Sequence, residues 1–157
     1  MNLQQLESRR VQALAQVFLE AARHVPPDKA DWKPDPKAKS AHEIVSHLAK
    51  ANDLFLAVLR GEPPSGDTAP DTEGKSYAET LKAFERSSQE LAEAIASLPD
   101  ERLGERIELP WGQTWKLPQV IAAASGHIAY HWGQIGYLQT LWGDTTDYHL
   151  IPESSAD

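Results

Sequence analysis

Six histidines are spread along the chain, and three of them, His47, His127 and His131, fall where imidazoles can meet. His127 and His131 stand one helical turn apart, so their rings leave the same helix face. They fall within an apolar stripe of Val120, Ala124, Ile128, Ile135 and Leu138. His47 falls within a second stripe, Ile44, Leu48, Ala51, Phe55 and Val58. Neutral imidazole suits zinc, nickel, iron and copper, and no soft ligand is present to choose among them. Three protein ligands leave a coordination position open, which is the pattern of catalytic rather than structural zinc. Water or a thiol held there loses its proton near neutral pH.

The competing reading is that these are ordinary core histidines. One histidine on an apolar face is usually a satisfied core residue, and a lone HxxxH spacing arises often by chance. Three together are harder to satisfy. Each buried ring nitrogen left without a partner costs about 1–3 kcal/mol, and the obvious side-chain partner nearby is Gln134. One divalent ion, zinc or nickel first and iron next, satisfies all three rings at once. The other histidines read as surface residues. His24 lies in the last turn of a helix, His42 at the start of one, and His149 in the tail.

Four helices must position the three rings. The first runs from about Asn2 to His24, with Leu3, Leu6, Leu14, Val17 and Phe18 on one side, and Val25-Pro26-Pro27 ends it. The second opens at Ser40 with Glu43 three residues on, a capping box, and ends near Arg60-Gly61. Residues 61–75 (GEPPSGDTAPDTEGK) read as a polar, mobile loop. A second capping box, Ser76 with Glu79, opens the third helix; its stripe is Leu81, Phe84, Leu91, Ile95 and Leu98, and Pro99 closes it. Residues 105–116 (ERIELPWGQTWK) alternate and turn at Trp111-Gly112, as a short hairpin or extended segment would. The fourth helix starts at Leu117-Pro118 and ends at Gly143. The expected fold is therefore all-α, a four-helix bundle with a long loop after helix 2. One domain spans 1–157, with the bundle over about 2–143 and a tail over 144–157. The loop 61–75 and the indoles of Trp111 and Trp115 are the segments expected to rim the mouth of the site.

With 157 residues, the chain is long enough for one real core. Its net charge of -8 argues against nucleic acid or an anionic membrane as the main partner. It has no cysteine, which excludes disulfides, thiolate nucleophiles and Cys-based metal sites, so any thiol in its chemistry must come from outside the chain. The opening MNLQQLESRR carries no apolar signal core, which makes the cytoplasm the expected location.

From Leu117 to Gly143 there is no charged residue. A helix without a charged face is normally buried all round. A membrane span is disfavoured by Gln119, His127, His131, Gln134 and Gln139. A second subunit is the simplest cover, so a homodimer is expected. Gly126, Ala129, Gly133, Gly136 and Thr140 form a stripe of small residues on which another helix could close, with Tyr130, Trp132 and Tyr137 as anchors. Helix 1 or helix 3 of the same chain is the alternative cover.

The segment DWKPDPKAKSAHEIVSHLAKANDLF, with its W-x-P connector, capped start and histidine seven residues after the cap, resembles the second-helix region of the DinB/YfiT-like family. The segment LPWGQTWKLPQVIAAASGHIAYHWGQIGYLQTLWG resembles that family's last helix and its lead-in, and the H-x-x-x-H-x-G-Q of His127 to Gln134 is the most specific part. The resemblance covers nearly the whole chain in helix order. It implies a four-helix bundle, a metal held by His47, His127 and His131, and frequent homodimers. It also implies, for some members, transfer of a low-molecular-weight thiol to an electrophile. Two other functions stand beside that one: a metal-binding stress-response dimer without turnover, and a hydrolase using metal-activated water. Gln134 matches the family's GQ, as either a support for the ligands or a packing residue. Glu43 lies one turn before His47 but is committed to capping.

Overall fold

The computed structural model describes residues 1–148. Helices α1 (Leu3–Arg23), α2 (Ala41–Arg60), α3 (Tyr77–Ala96) and α4 (Leu117–Leu141) pack as a bundle. Just before α4 a small antiparallel hairpin pairs β1 (Arg106–Glu108) with β2 (Thr114–Lys116), in the register Ile107 opposite Trp115. Gly112, with φ of 82°, supplies the left-handed residue of its turn.

Both expected capping boxes form: Ser40 with Glu43 opens α2, and Ser76 with Glu79 opens α3. Asn2 and Gln5 cap α1 in the same way. Gly61 ends α2 in the left-handed conformation (φ 72°), and the next amide, Glu62 N–H, donates back to the Ala57 carbonyl.

Around the bundle the order is α1, α3, α2, α4, so α1 lies diagonally across from α2. The contacts fix the directions. Phe18 meets Phe84 and Gln4 reaches Leu98, so α1 and α3 are antiparallel. His42 meets Thr80 while Asn52 meets Ser87 and Ser88, so α2 and α3 run parallel. Parallel neighbours cannot be joined by a tight turn. Twenty residues of helix rise about 30 Å, and the chain after Gly61 must travel that distance back before α3 can begin. Fifteen residues in extended conformation reach about 50 Å, so residues 61–75 are long enough. They are a crossover strap running back along α2. Asp67 pairs with Lys50 at 3.0 Å, Thr68 meets His47, and Asp71 exchanges two hydrogen bonds with Ser46. The polar composition that reads as a mobile loop instead supplies the bonds that fasten it.

The core fills the space between the four stripes. Phe18, Phe84, Leu48, Leu91, Ile95, Ile128 and Ile135 have no exposed surface, and each such side chain contributes about 1.5–3 kcal/mol. The α1 stripe departs from its expected line at the N-terminal end. Leu3 and Leu6 are exposed, while Gln4, Glu7 and Ser8 are buried. The Gln4 amide donates to the Leu98 carbonyl and to Asp100 Oδ1, and Glu7 meets Arg10 and Ser125. Side-chain hydrogen bonds across the end of the bundle set that helix's rotation.

His42 also departs from its expected surface position: it is 3% exposed. The connector between α1 and α2 folds over the first turn of α2, where the Ala30 carbonyl accepts from the His42 amide. The ring lies between Asp31 Oδ1 (2.9 Å from Nδ1) and Thr80 Oγ1 (2.8 Å from Nε2). His24 is exposed as expected, stacked on Tyr148 at 4.4 Å. His149 lies outside the described residues.

Helix α4 is not buried all round. Its core stripe is covered, whereas Gly126, Tyr130, Gly133, Tyr137 and Leu141 face outward. A Cβ added at Gly126, Gly133 or Gly136 would meet no atom of another described element within 4 Å, so no other described helix closes on these glycines. No described helix is long and apolar enough to cross a membrane.

Candidate metal centre

The seam between α2 and α4 brings the three stripe histidines together. The Nε2 atom of His127 lies 3.1 Å from that of His47 and 3.0 Å from that of His131. One ligand atom from each ring lies within 4.8 Å of the others. The two helices run antiparallel here, with Phe55 stacked edge-on against His127 at 6.5 Å and His47 facing both His127 and His131. Residues 127 and 131 share a face by helical periodicity, and the packing of α2 on α4 carries the ring of His47 to them.

The far side of two rings is held. Nδ1 of His47 lies 2.6 Å from the main-chain carbonyl oxygen of Thr68, and Nδ1 of His131 lies 2.6 Å from Oε1 of Gln134. Gln134 is oriented in turn through its amide nitrogen, 3.4 Å from the Tyr130 hydroxyl. Carbonyl oxygens only accept, so both Nδ1 atoms carry hydrogen. In the neutral ring that leaves Nε2 as a bare lone pair.

The consequence for the cluster is a surplus of lone pairs. A hydrogen on His127 Nε2 can serve one neighbour and leaves the other facing it lone pair to lone pair. Protonating the rings is not the remedy. Burial first, then the neighbouring charges of His131 and His47, pushes His127 down to about 4. His131 is pushed down to about 4, again mainly by burial, against the raising effect of its Gln134 bond. Both rings are thus neutral at pH 7. A cation at the common centre satisfies all three nitrogens, and the hydrogen-bonded Nδ1 atoms are the usual support behind ligating imidazoles. The edge of a tetrahedron with zinc–nitrogen bonds of about 2.0–2.1 Å is about 3.3 Å, close to the observed spacings. The three residues therefore fit a divalent ion, and their chemistry alone does not choose which one.

Gln134 is accordingly bonded to one of the three clustered rings as well as being part of α4. Glu43 is occupied, as expected: its two oxygens accept from the Ser40 amide and from Lys33 Nζ. Thr68 is the site residue that sequence reasoning misses, because its contribution is a main-chain carbonyl that any residue type would supply.

Of the two expected rim segments, the strap meets the cluster directly at Thr68. Trp111 and Trp115 stack edge to face at 6.0 Å, and their hairpin meets the strap where Pro110 lies beside Gly66. No hydrogen bond or ring contact among the described residues joins either indole to the histidines.

The profile of the DinB superfamily matches residues 10–135. Among solved structures, a DinB-like protein, YjoA, from Bacillus subtilis superposes with a TM-score of 0.72 at 20% sequence identity, covering 90% of this chain and 94% of that one. At that identity the likeness concerns the fold. No curated protein matches the sequence. The family's profile spans most of the chain, including all three clustered histidines, and the chain belongs to the DinB superfamily.

Proposed function

We propose that this protein is a metal-dependent transferase that joins a low-molecular-weight thiol to an electrophile, with His47, His127 and His131 holding one zinc or nickel ion. The observation that carries the reading is the convergence of three imidazole Nε2 atoms with no carboxylate among them. An all-imidazole set leaves a divalent ion its full positive charge. Bound there, the ion supplies acidification of a thiol or water brought beside it.

The chain's own residues do the rest. Thr68 and Gln134 lock the rings of His47 and His131, so the lone pairs are aimed before any ion arrives. Phe55 stands edge-on to the His127 ring at 6.5 Å as an apolar neighbour. With no cysteine in the sequence, the sulfur must come from a cosubstrate. Its thiolate forms the new bond to carbon while the leaving group departs with its electron pair.

The test is a screen of small thiols with 1-chloro-2,4-dinitrobenzene, using protein loaded with zinc or nickel. Chloride release and thioether formation should be faster than with His127→Ala for at least one thiol. Equal rates across the panel, with metal bound in the parent protein, would leave a metal-binding protein without this turnover.

A further inference from the structure

Beside the histidine cluster lies a cavity of about 450 Å³ between the connector and the outer half of α4. Its lining includes Lys37, Lys39, Tyr130 and Gln134, over an apolar floor of Ile44 and Leu138. No aspartate or glutamate lines it, although the chain as a whole carries a net charge of -8. Neither ammonium group is held in an ion pair among the described residues. Glu43, whose carboxyl pKa the Lys39 charge helps to lower, is already paired with Lys33 at 2.7 Å, and the Asp35 carboxylate beside Lys37 accepts from its main-chain amide. Two cations without an ion-pair partner among the described residues, around an apolar floor in an otherwise acidic protein, mark a place where negative charge is favoured.

Gln134 belongs both to this cavity and to the cluster, since its Oε1 holds the Nδ1 of His131.

We propose that this cavity is the binding site for a small organic anion, a carboxylate with an apolar or aromatic body, seated between Lys37 and Lys39 with Tyr130 as a wall. Its place as a substrate subsite rests on the transferase reading above, because an anionic thiol or electrophile held there lies one side chain, Gln134, from a ligating histidine. The lysines supply charge attraction and Ile44 and Leu138 the apolar contact, so a neutral isostere of the same shape should bind more weakly.

The experiment uses the full chain stripped of metal with a chelator, and the probes are 4-phenylbutyrate and its neutral amide, 4-phenylbutyramide. Calorimetric titration should show the carboxylate binding about tenfold more tightly than the amide. The double variant Lys37→Gln/Lys39→Gln should abolish that preference. A variant of identical net charge, Lys82→Gln/Lys116→Gln, should retain it, which separates a local site from bulk electrostatics. Both pairs are exposed, so the fold is kept, and circular dichroism checks it. Equal binding of acid and amide, or an unchanged preference in the Lys37/Lys39 variant, overturns the proposal. The metal and transferase readings are scored separately by metal content and chloride release with the parent protein, neither of which enters the titration of the stripped chain.

Discussion

The imidazole Nδ1 of His47 lies 2.6 Å from the main-chain oxygen of Thr68, which ties a candidate metal ligand to the strap that crosses between α2 and α3. The strap is placed there by topology: parallel α2 and α3 require a return path, and that path passes over the histidines. The state of the strap and the state of the site are therefore linked through one hydrogen bond.

That linkage can be measured through Ser46. Its hydroxyl donates to the Asp71 carbonyl and accepts from the Asp71 amide, fastening the strap three residues beyond Thr68. Ser46→Ala should lower metal affinity by about tenfold, in line with supports behind ligating histidines, and should speed amide exchange over residues 67–71. Thr68→Ala keeps the carbonyl and should bind metal as the parent does. Equal loss in both variants would argue for a side-chain effect instead.

Metal content separates the histidines by role. The purified protein should carry about one divalent ion per chain, and His47→Ala, His127→Ala or His131→Ala should each reduce it sharply while helicity persists. His42→Ala should do the reverse. It removes a fully enclosed ring bonded at both nitrogens to Asp31 and Thr80, so it should cost about 2–3 kcal/mol in urea denaturation and leave metal content unchanged.

Acid should weaken the metal-free fold through the clustered rings. His127 and His131 sit near 4 in the folded protein, against about 6.5 in an unfolded chain. Between those values the unfolded chain binds more protons, so stability is fully present above about 6.5 and is lost as pH falls towards about 4. Urea midpoints in the presence of chelator should fall across that window. The fall should be shallower in a His127→Ala/His131→Ala variant; an identical slope would mean that other groups carry it.

The outward face of α4 is expected to join two copies of the chain. Gly126, Gly133 and Gly136 have open space where a side chain would be, and glycine inside a helix costs about 1 kcal/mol relative to alanine. We expect light scattering at micromolar concentration to give a dimer. Gly126→Glu should give a monomer of equal or greater helix stability, since a Cβ there has open space among the described residues while the longer side chain blocks close approach. A parent protein that scatters as a monomer would rule the homodimer out.

How much of this was legible in the sequence depends on what kind of interaction did the placing. Where apolar periodicity decides, as along α2 and α4, the stripes and the three histidines within them could be read directly. Capping boxes mark helix starts for a similar reason, because side-chain type and spacing are the mechanism. The N-terminal half of α1 resisted, since buried hydrogen bonds from Gln4 and Glu7 outweigh the exposure of Leu3 and Leu6. His42 resisted because the connector that covers it has no periodicity of its own. Thr68 left no signal at all, for its part is played by the backbone.

His47 and His127 stand 80 positions apart in the chain, and α3 lies between them in sequence. An ion held by both is thus a cross-link between distant halves of the polypeptide. In the entropic account of such closures, a tie across a loop of that length is worth about 4.5 kcal/mol against the unfolded chain, before any strain is subtracted. Removing the ion would then do more than silence a site. It would lengthen the leash between α2 and α4, and proteolysis and subglobal opening along that seam would become the first signs of metal starvation.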